Sequence, residues 1–404
     1  MNIKSDFPIF KNNPGLVYMD STATSQKPSY VIEGIKQYLE NYYSNIHRGS
    51  YDLSEKSELL YEESKKVIAK SIGASSWREI IYSFNSTYAS NLFIYSLKRS
   101  NILKSGDKVL LSMVEHHANI VPWLILQEDL GIEIDYVGLN DDYSLNFDDL
   151  KKKLTPNVKL VSFTHVSNIT GEIFDLKRVG KILDKQNERP LFLVDASQSI
   201  PHMKVDVKDL GCDAMFFTGH KVMADSGIGV LWGKEELLKK LKPIFSGGGA
   251  ISWVKKDSFK EAGLPDKFEP GTPNLTGAVS LLRAFEYLEN IGGYEKVLEI
   301  EKELNVEVIK KFSNIKGVKL IGGINPSSRV SVFSFVVEGI HSHDIADYLA
   351  DNNICIRAGQ HCAEPYMREL GLNHTCRMSL YIYNTLEDVN KFFEVLEKAI
   401  KILK

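Results

Sequence analysis

The sequence predicts an α/β fold, with a mostly parallel sheet covered by helices on both faces and a smaller α+β lobe towards the C-terminus. Three observations carry this. Short apolar runs of strand length recur through the first two thirds of the chain, with helical stretches between most of them. Such alternation builds parallel sheets through crossover helices. After about residue 283 the pattern gives way to long amphipathic helices flanking an alternating strand. The length, 404 residues, also exceeds what a single compact core ordinarily takes.

In chain order, the strand candidates are residues 80–84, 108–112, 133–138, 158–164, 190–195, 213–218 and 228–232, with helical patterns between, for instance at 120–130 and 176–186. In the second lobe, helices at 294–312 and 386–404 flank 329–337, where strict alternation marks a half-buried strand. The expected division is a large domain over 15–283 and a small domain over 284–404, with residues 1–14 packing on the small one. No internal repeat or low-complexity linker separates the lobes, so they are expected to pack closely.

Composition excludes several classes of function. Lys and Arg total 49 against 52 Asp and Glu, a formal charge of −3, which leaves no electrostatic footprint for nucleic acid or an anionic membrane. The first residues lack the basic start and apolar core of a signal peptide, and no run approaches the roughly 18 apolar residues of a membrane span. Four cysteines without CxxC spacing are too sparse for a disulfide framework in a chain this size. The expectation is a soluble cytoplasmic protein.

In open parallel sheets the ligand sits beyond the carboxyl ends of the strands. Two strand ends there carry unusual chemistry. The run 213–218 leads into Thr218-Gly219-His220-Lys221, and the run 190–195 ends in Asp195 with Gln198 just beyond. A buried lysine loses its charge preference and becomes a nucleophile suited to Schiff-base chemistry. A carboxylate for the pyridine nitrogen and a lysine for the aldehyde are what pyridoxal phosphate requires; a buried Asp–Lys ion pair is the alternative source of the same pattern. Ser86 and Thr87 open a helical stretch after the run 80–84, offering an anion site at a helix start or an ordinary N-cap. His116, after the run 108–112, lies at the mouth of the same sheet, where its ring either stacks on an aromatic ligand or caps a turn.

Cys362 lies in a polar, turn-rich loop, with His361 beside it and Arg357 nearby, an accessible and electropositive setting that favours thiolate; an ordinary loop thiol fits the same position. Cys355, between two isoleucines, reads as a small core hydrophobe. Arg377 can fork onto a carboxylate, which lysine cannot. The histidine pairs 116/117, 341/343 and the His361-Cys362 step match no metal-ligand spacing, so no metal is expected. The glycine runs at 227–229 and 247–249 lack dinucleotide-loop spacing and are assigned to turns.

Together these motifs resemble the class V aminotransferase family, and within it the group II, SUF-type cysteine desulfurases. The resemblance spans nearly the whole chain: Tyr18-Met19-Asp20-Ser21 with Gln26-Lys27-Pro28, Asn45 to Gly49, Glu115 to Trp123, His165 to Asn168, Val194-Asp195, Thr218 to Lys221, Glu269 to Asn274, Arg357 to Cys362, and Arg377 with Tyr383-Asn384-Thr385. It implies a fold type I homodimer with a shared active site. Lys221 would hold pyridoxal phosphate and move protons; Asp195 would meet the pyridine nitrogen, Gln198 the ring hydroxyl, and His116 the ring face. Ser86, Thr87, Thr218 and His220 would hold the phosphate, with Thr272 reaching in from the second subunit. Asn168 and Arg377, with Arg357, would bind substrate L-cysteine, and Cys362 would take its sulfur as a persulfide, releasing alanine. A small sulfur-acceptor protein and an iron–sulfur scaffold are the implied partners.

Relative to the family pattern, this chain carries Asn85 and Tyr88 around the phosphate pair, Ala224-Asp225 after the lysine, and Gln360 before His361. Two other readings stand beside the desulfurase: a lyase acting on selenocysteine or a desulfinase acting on cysteine sulfinate, and a non-catalytic scaffold dimer.

Overall fold

The computed structural model describes residues 3–47 and 49–404; Arg48, within the 45–49 motif, lies outside the described residues. The apolar runs form one seven-stranded sheet from β1 (Ile80–Ser83), β2 (Lys108–Ser112), β3 (Glu133–Val137), β4 (Val158–Thr164), β5 (Leu191–Asp195), β6 (Ala214–Thr218) and β7 (Gly229–Gly233). Their order is β1-β7-β6-β5-β4-β2-β3. The pairs from β6 to β3 are parallel, whereas β7 runs antiparallel to both β1 and β6.

Side chains alternate between two buried faces. Leu110 and Phe217 join one core, while Val109, Leu111 and Phe216 join the other, beneath helices Ser86–Arg99 and Val121–Leu130. A sheet buried on both sides has no use for polar alternation, which explains why its strands read as continuous apolar runs. Phe216 and Phe217 are fully buried; truncating either to alanine costs about 3–5 kcal/mol.

The second lobe carries a four-stranded antiparallel sheet of β8 (Val318–Ile321), β9 (Val332–Val337), β10 (Arg357–Gly359) and β11 (Thr375–Ser379), in the order β8-β9-β11-β10. Helix Gly293–Asn314 and helix Leu386–Leu403 cover it. The latter starts at a Thr385/Asp388 capping box and turns Val389, Phe392, Phe393, Leu396 and Ala399 inward, at helical spacing, onto Phe312, Phe333 and Phe335. The strand expected over 329–337 begins only at Val332. Arg329 turns inward instead, donating to the carbonyls of Gly323, Thr170 and Val332. The helix expected over 176–186 ends at Leu183.

The N-terminal segment ties the lobes together. Lys4 pairs with Asp388 at 2.6 Å, and the ring of Phe7 meets those of Tyr287 and Tyr383 edge-on at 6.0 and 4.9 Å. Val17–Tyr18 then pairs in parallel with Ile354–Cys355, and Asp20 continues in parallel onto Ser379, the last residue of β11. Helix Leu275–Asn290 runs unbroken through residue 283 and packs on helices Ser29–Asn41 and Asp52–Ser71. Among the described residues, no helix is long and apolar enough to cross a membrane.

Candidate active site

Strands β5 and β6 are register neighbours, so Asp195 and the segment 218–221 emerge side by side at the carboxyl edge of the sheet. Lys221 closes a single 3-10 turn, Gly219–Lys221. Burial, ahead of the positive charges of Arg377 and Arg357, pulls the Lys221 ammonium down to about 8, and Asp195 works in the opposite direction. Asp195 is itself buried, and its carboxyl is raised by desolvation and lowered by Ser197 and Lys221.

The turn is held by its own backbone. The carbonyl oxygen of His220 accepts from Ser25 N at 3.0 Å, Thr24 Oγ1 and Ser25 Oγ at 3.1 Å, and Lys27 Nζ at 3.2 Å. Gln198 is fixed from the same segment, its amide donating to Thr22 O at 3.0 Å. His116 accepts from Ala118 N through Nδ1, and burial, with Lys221 next, depresses its pKa to about 3, so the ring is neutral. Burial likewise keeps His220 neutral, with a pKa of about 4.

Ser86 and Thr87 occupy the first turn of helix Ser86–Arg99, whose N-cap Asn85 accepts from Tyr88 N. A side chain at Gly229 would lie 2.5 Å from the Asn85 backbone, so only glycine lets this helix start approach β7. Thr218 Oγ1 and Ser197 Oγ are buried without a hydrogen-bond partner in the described structure. Orphaned hydroxyls beside a desolvated lysine, a buried carboxylate, a neutral imidazole and an open helix N-terminus fit pyridoxal phosphate. Thr272 is elsewhere: it lines clefts with Tyr61, Tyr82, Phe84 and Tyr88 and with Asn45 and His47, which no other residue of the expected set lines.

At the substrate end, Arg377 on β11 is buried and faces Arg357 of β10 directly across the ladder. Arg377 donates to Asn168 O at 3.0 Å and leaves Nε without a partner. Asn168 Nδ2 in turn donates to His361 O at 2.8 Å. The turn carrying Asn168 belongs mechanically to the small lobe. Ser334 Oγ donates to Ile169 O, Arg329 to Thr170 O and Val330 N to Gly171 O. Gly171, at φ +75°, has the Val332 carbonyl 2.7 Å from where a Cβ would stand.

Cys362 is exposed, and both it and His361 adopt left-handed backbone, at φ +57° and +55°. Such backbone in two successive non-glycine residues is costly and characteristic of functional loops. The loop is pinned by His117, whose N–H donates to Cys362 O at 2.8 Å and whose Nε2 accepts from Glu364 N. The thiol is near enough to bear electrostatically on both Lys221 and Arg377. The expected contribution of His361 to a positive environment is corrected. Its ring turns inward to Thr375 Oγ1 at 2.9 Å, and burial depresses its pKa to about 2. Arg357 and Arg377 supply the positive charge. All four cysteines are free, and Cys212 and Cys376 are buried.

Two carboxylates that the sequence offered only as members of longer motifs, with no role of their own, belong to the site. Glu115 is fully buried behind His116 and accepts from Ser112, Asn119 and Thr164 N; burial raises it to about 8. Asp20 stands between Arg357 and Arg377. Each stood only inside a motif of the resemblance, Glu115 beside His116 and Asp20 within 18–21; the role of Asp20 was not legible, because its partners lie more than 300 residues away.

Comparison with known proteins gives a consistent result. The sequence profile of the class-V aminotransferases matches residues 17–392. A probable cysteine desulfurase of Halalkalibacterium halodurans is 39% identical over 402 residues, covering 98% of this chain and 97% of that protein. One from Synechocystis is 38% identical over 404 residues, covering 99% and 95%. Among solved structures, the apo cysteine desulfurase of Thermococcus onnurineus superposes with a TM-score of 0.93 at 37% identity, covering 99% of this chain and 98% of that one. The cysteine desulfurase CsdA of Escherichia coli, as its S-sulfonic acid, gives 0.91 at 30%, with the same coverage.

Proposed function

The chain belongs to the class-V aminotransferase family, and within it we propose a pyridoxal phosphate-dependent cysteine desulfurase of the SUF type. It would convert L-cysteine to L-alanine and hold the sulfur as a persulfide on Cys362. The observation that carries this is the placement of Cys362: an exposed thiol on a strained turn, pinned through its carbonyl to His117 and within electrostatic reach of Lys221 and Arg377.

Pyridoxal phosphate, when bound, supplies the electron sink for the substrate's α-carbon. Lys221, Asp195, Gln198 and His116 would hold its reactive ring, and Ser86, Thr87, Thr218 and His220 its phosphate. The chain's own groups do the rest. The depressed pKa of Lys221 lets its amine accept and return the α-proton near neutral pH. The unpartnered Nε edge of Arg377 receives the substrate carboxylate, and Asn168, anchored by the small lobe, borders the same space. The Cys362 thiolate attacks the substrate sulfur. A sulfur–sulfur bond forms on the protein, the carbon–sulfur bond breaks, and its electron pair stays with carbon, which is protonated to give alanine.

A homodimer fits this reading, because Thr272 has no role within its own subunit's site and is available to a partner's. A cytoplasmic setting agrees with four unpaired cysteines, and delivery to a small acceptor protein for iron–sulfur assembly agrees with the exposure of Cys362. The test is alanine release from L-cysteine and from L-selenocysteine in the wild type and Cys362→Ser. Loss on cysteine with survival on selenocysteine supports the desulfurase; full cysteine turnover in the variant moves the assignment to a lyase.

A further inference from the structure

Residues 166–173 form a finger between β4 and helix Leu176–Leu183. It is closed on itself by the Val166–Ile173 bridge, and by Ser167 N on Glu172 O and Gly171 N on Ser167 O, both at 3.0 Å. Its base carries Asn168, whose carbonyl oxygen supports Arg377 Nη1 and whose side chain holds His361 O. The small lobe holds its tip, and Arg329 brings a charge to that hold.

Arg329 is buried, and its guanidinium is directed at three carbonyl oxygens. Nη2 donates to Thr170 O at 2.7 Å and to Val332 O, and Nη1 to Gly323 O at 2.6 Å. Glu172 bears on it electrostatically without a direct ion pair, and Glu172 Oε1 accepts from Gly323 N at 2.6 Å. A buried cation met by carbonyl dipoles is a costly way to fill a core; leucine or methionine would pack there at a smaller penalty. What the guanidinium adds is reach, tying the tip of the finger to the start of β9 and to the loop after β8. Its own backbone is fixed from behind: Arg329 O accepts from Asn305 Nδ2 at 3.3 Å, and Asn305 Oδ1 from Ser331 Oγ at 2.8 Å.

Thr170 lies two residues from Asn168, so a shift of the tip moves the carbonyl that orients Arg377. The rest of the site has other supports. His117 pins the Cys362 loop, and Asp195 and the Lys221 turn stand on the large sheet. We propose that Arg329 is a positioning residue for substrate binding: it fixes the finger so that Asn168 O presents the Arg377 guanidinium to the incoming carboxylate. This rests on the desulfurase reading for its choice of substrate.

The experiment measures steady-state alanine release from L-cysteine in Arg329→Lys, which keeps the charge but cannot reach three carbonyls at once. KM should rise on the order of 10-fold, the upper end of what one net hydrogen bond contributes. Both kcat and the affinity for pyridoxal phosphate should hold within about 3-fold. A merely structural role would lower the active fraction, and so kcat, and leave KM alone. Placed on Arg377→Lys, the same substitution should raise KM by less than about 3-fold, because the group it orients is already gone. Amide hydrogen exchange adds an arm free of turnover: residues 167–173 should exchange faster in Arg329→Lys, on the order of 10-fold, with β4 and β5 still protected. If Arg329→Lys does not fold, Ser334→Ala, which removes the 2.6 Å bond to Ile169 O, decides by the same readouts. If the wild type releases no alanine, the functional reading falls, and the affinity for L-alanine, read from the cofactor's absorbance, decides the role of Arg329 in place of KM. An unchanged KM, unchanged exchange, or a rise on Arg377→Lys as large as on the wild type would overturn the proposal.

Discussion

Replacing Arg377 by lysine keeps a positive charge and removes the planar fork. In the structure the guanidinium does two things at once: Nη1 and Nη2 hold the Asn168 carbonyl and Asp20 at 3.0 and 3.4 Å, while Nε stays without a partner. A lysine ammonium is a point donor at the end of a flexible stem and cannot satisfy both. A hydrogen bond to a charged group is worth about 1.5–3 kcal/mol, so losing one from the substrate carboxylate predicts roughly a 10- to 150-fold fall in kcat/KM. The carboxylate is bound alike in ground and transition states, which places the loss mainly in KM. Steady-state alanine release from L-cysteine measures this, with cysteamine, which lacks the carboxylate, as control. A KM changed by less than about 3-fold, or an equal loss on cysteamine, would refute the assignment.

Further outcomes follow from the same geometry. Lys221 has a folded pKa of about 8 against 10.5 in an open chain. The unfolded state thus binds more protons between those values, and the destabilisation by Lys221 is complete below about 8 and fades as pH rises towards 10.5. The rate of covalent pyridoxal phosphate capture by cofactor-free protein, followed by absorbance, should rise with pH about a midpoint near 8; a midpoint at 10.5 would contradict the burial argument. Asp195→Asn should retain the cofactor but lose kcat, because an amide cannot keep the pyridine nitrogen protonated; unchanged kcat speaks against the role. Lys65 is wholly buried and pairs with Glu269 at 2.6 Å, so Lys65→Met should destabilise by about 3–5 kcal/mol in thermal unfolding through the stranded carboxylate. The double variant with Glu269→Gln should regain much of that.

The sheet was legible because its strands are buried on both faces and so appear as uninterrupted apolar runs. The reversal of β7 was not, since nothing in residues 228–232 encodes direction; the chain's return after the Lys221 turn sets it. Lys221 and Asp195 stood out because charged groups at the ends of apolar strands are chemically expensive. What stayed hidden depends on pairing across hundreds of residues: Asp20 with Arg357 and Arg377, the turn of Asn168 with Arg329 and Ser334, and Lys65 with Glu269. His361 shows the opposite failure. Adjacent to the thiol in sequence, it turns inward because the left-handed backbone at 361 and 362 sends neighbouring side chains different ways.

The central claim is that substrate sulfur passes to Cys362. Incubating the pyridoxal phosphate-loaded protein with one equivalent of L-cysteine, without thiol reductant, and mapping its peptides by mass spectrometry tests it most directly. The account predicts one added sulfur atom on the peptide bearing Cys362, none on those bearing Cys355, Cys212 or Cys376, and alanine in matching amount. Alanine formed with no sulfur on Cys362 would contradict it.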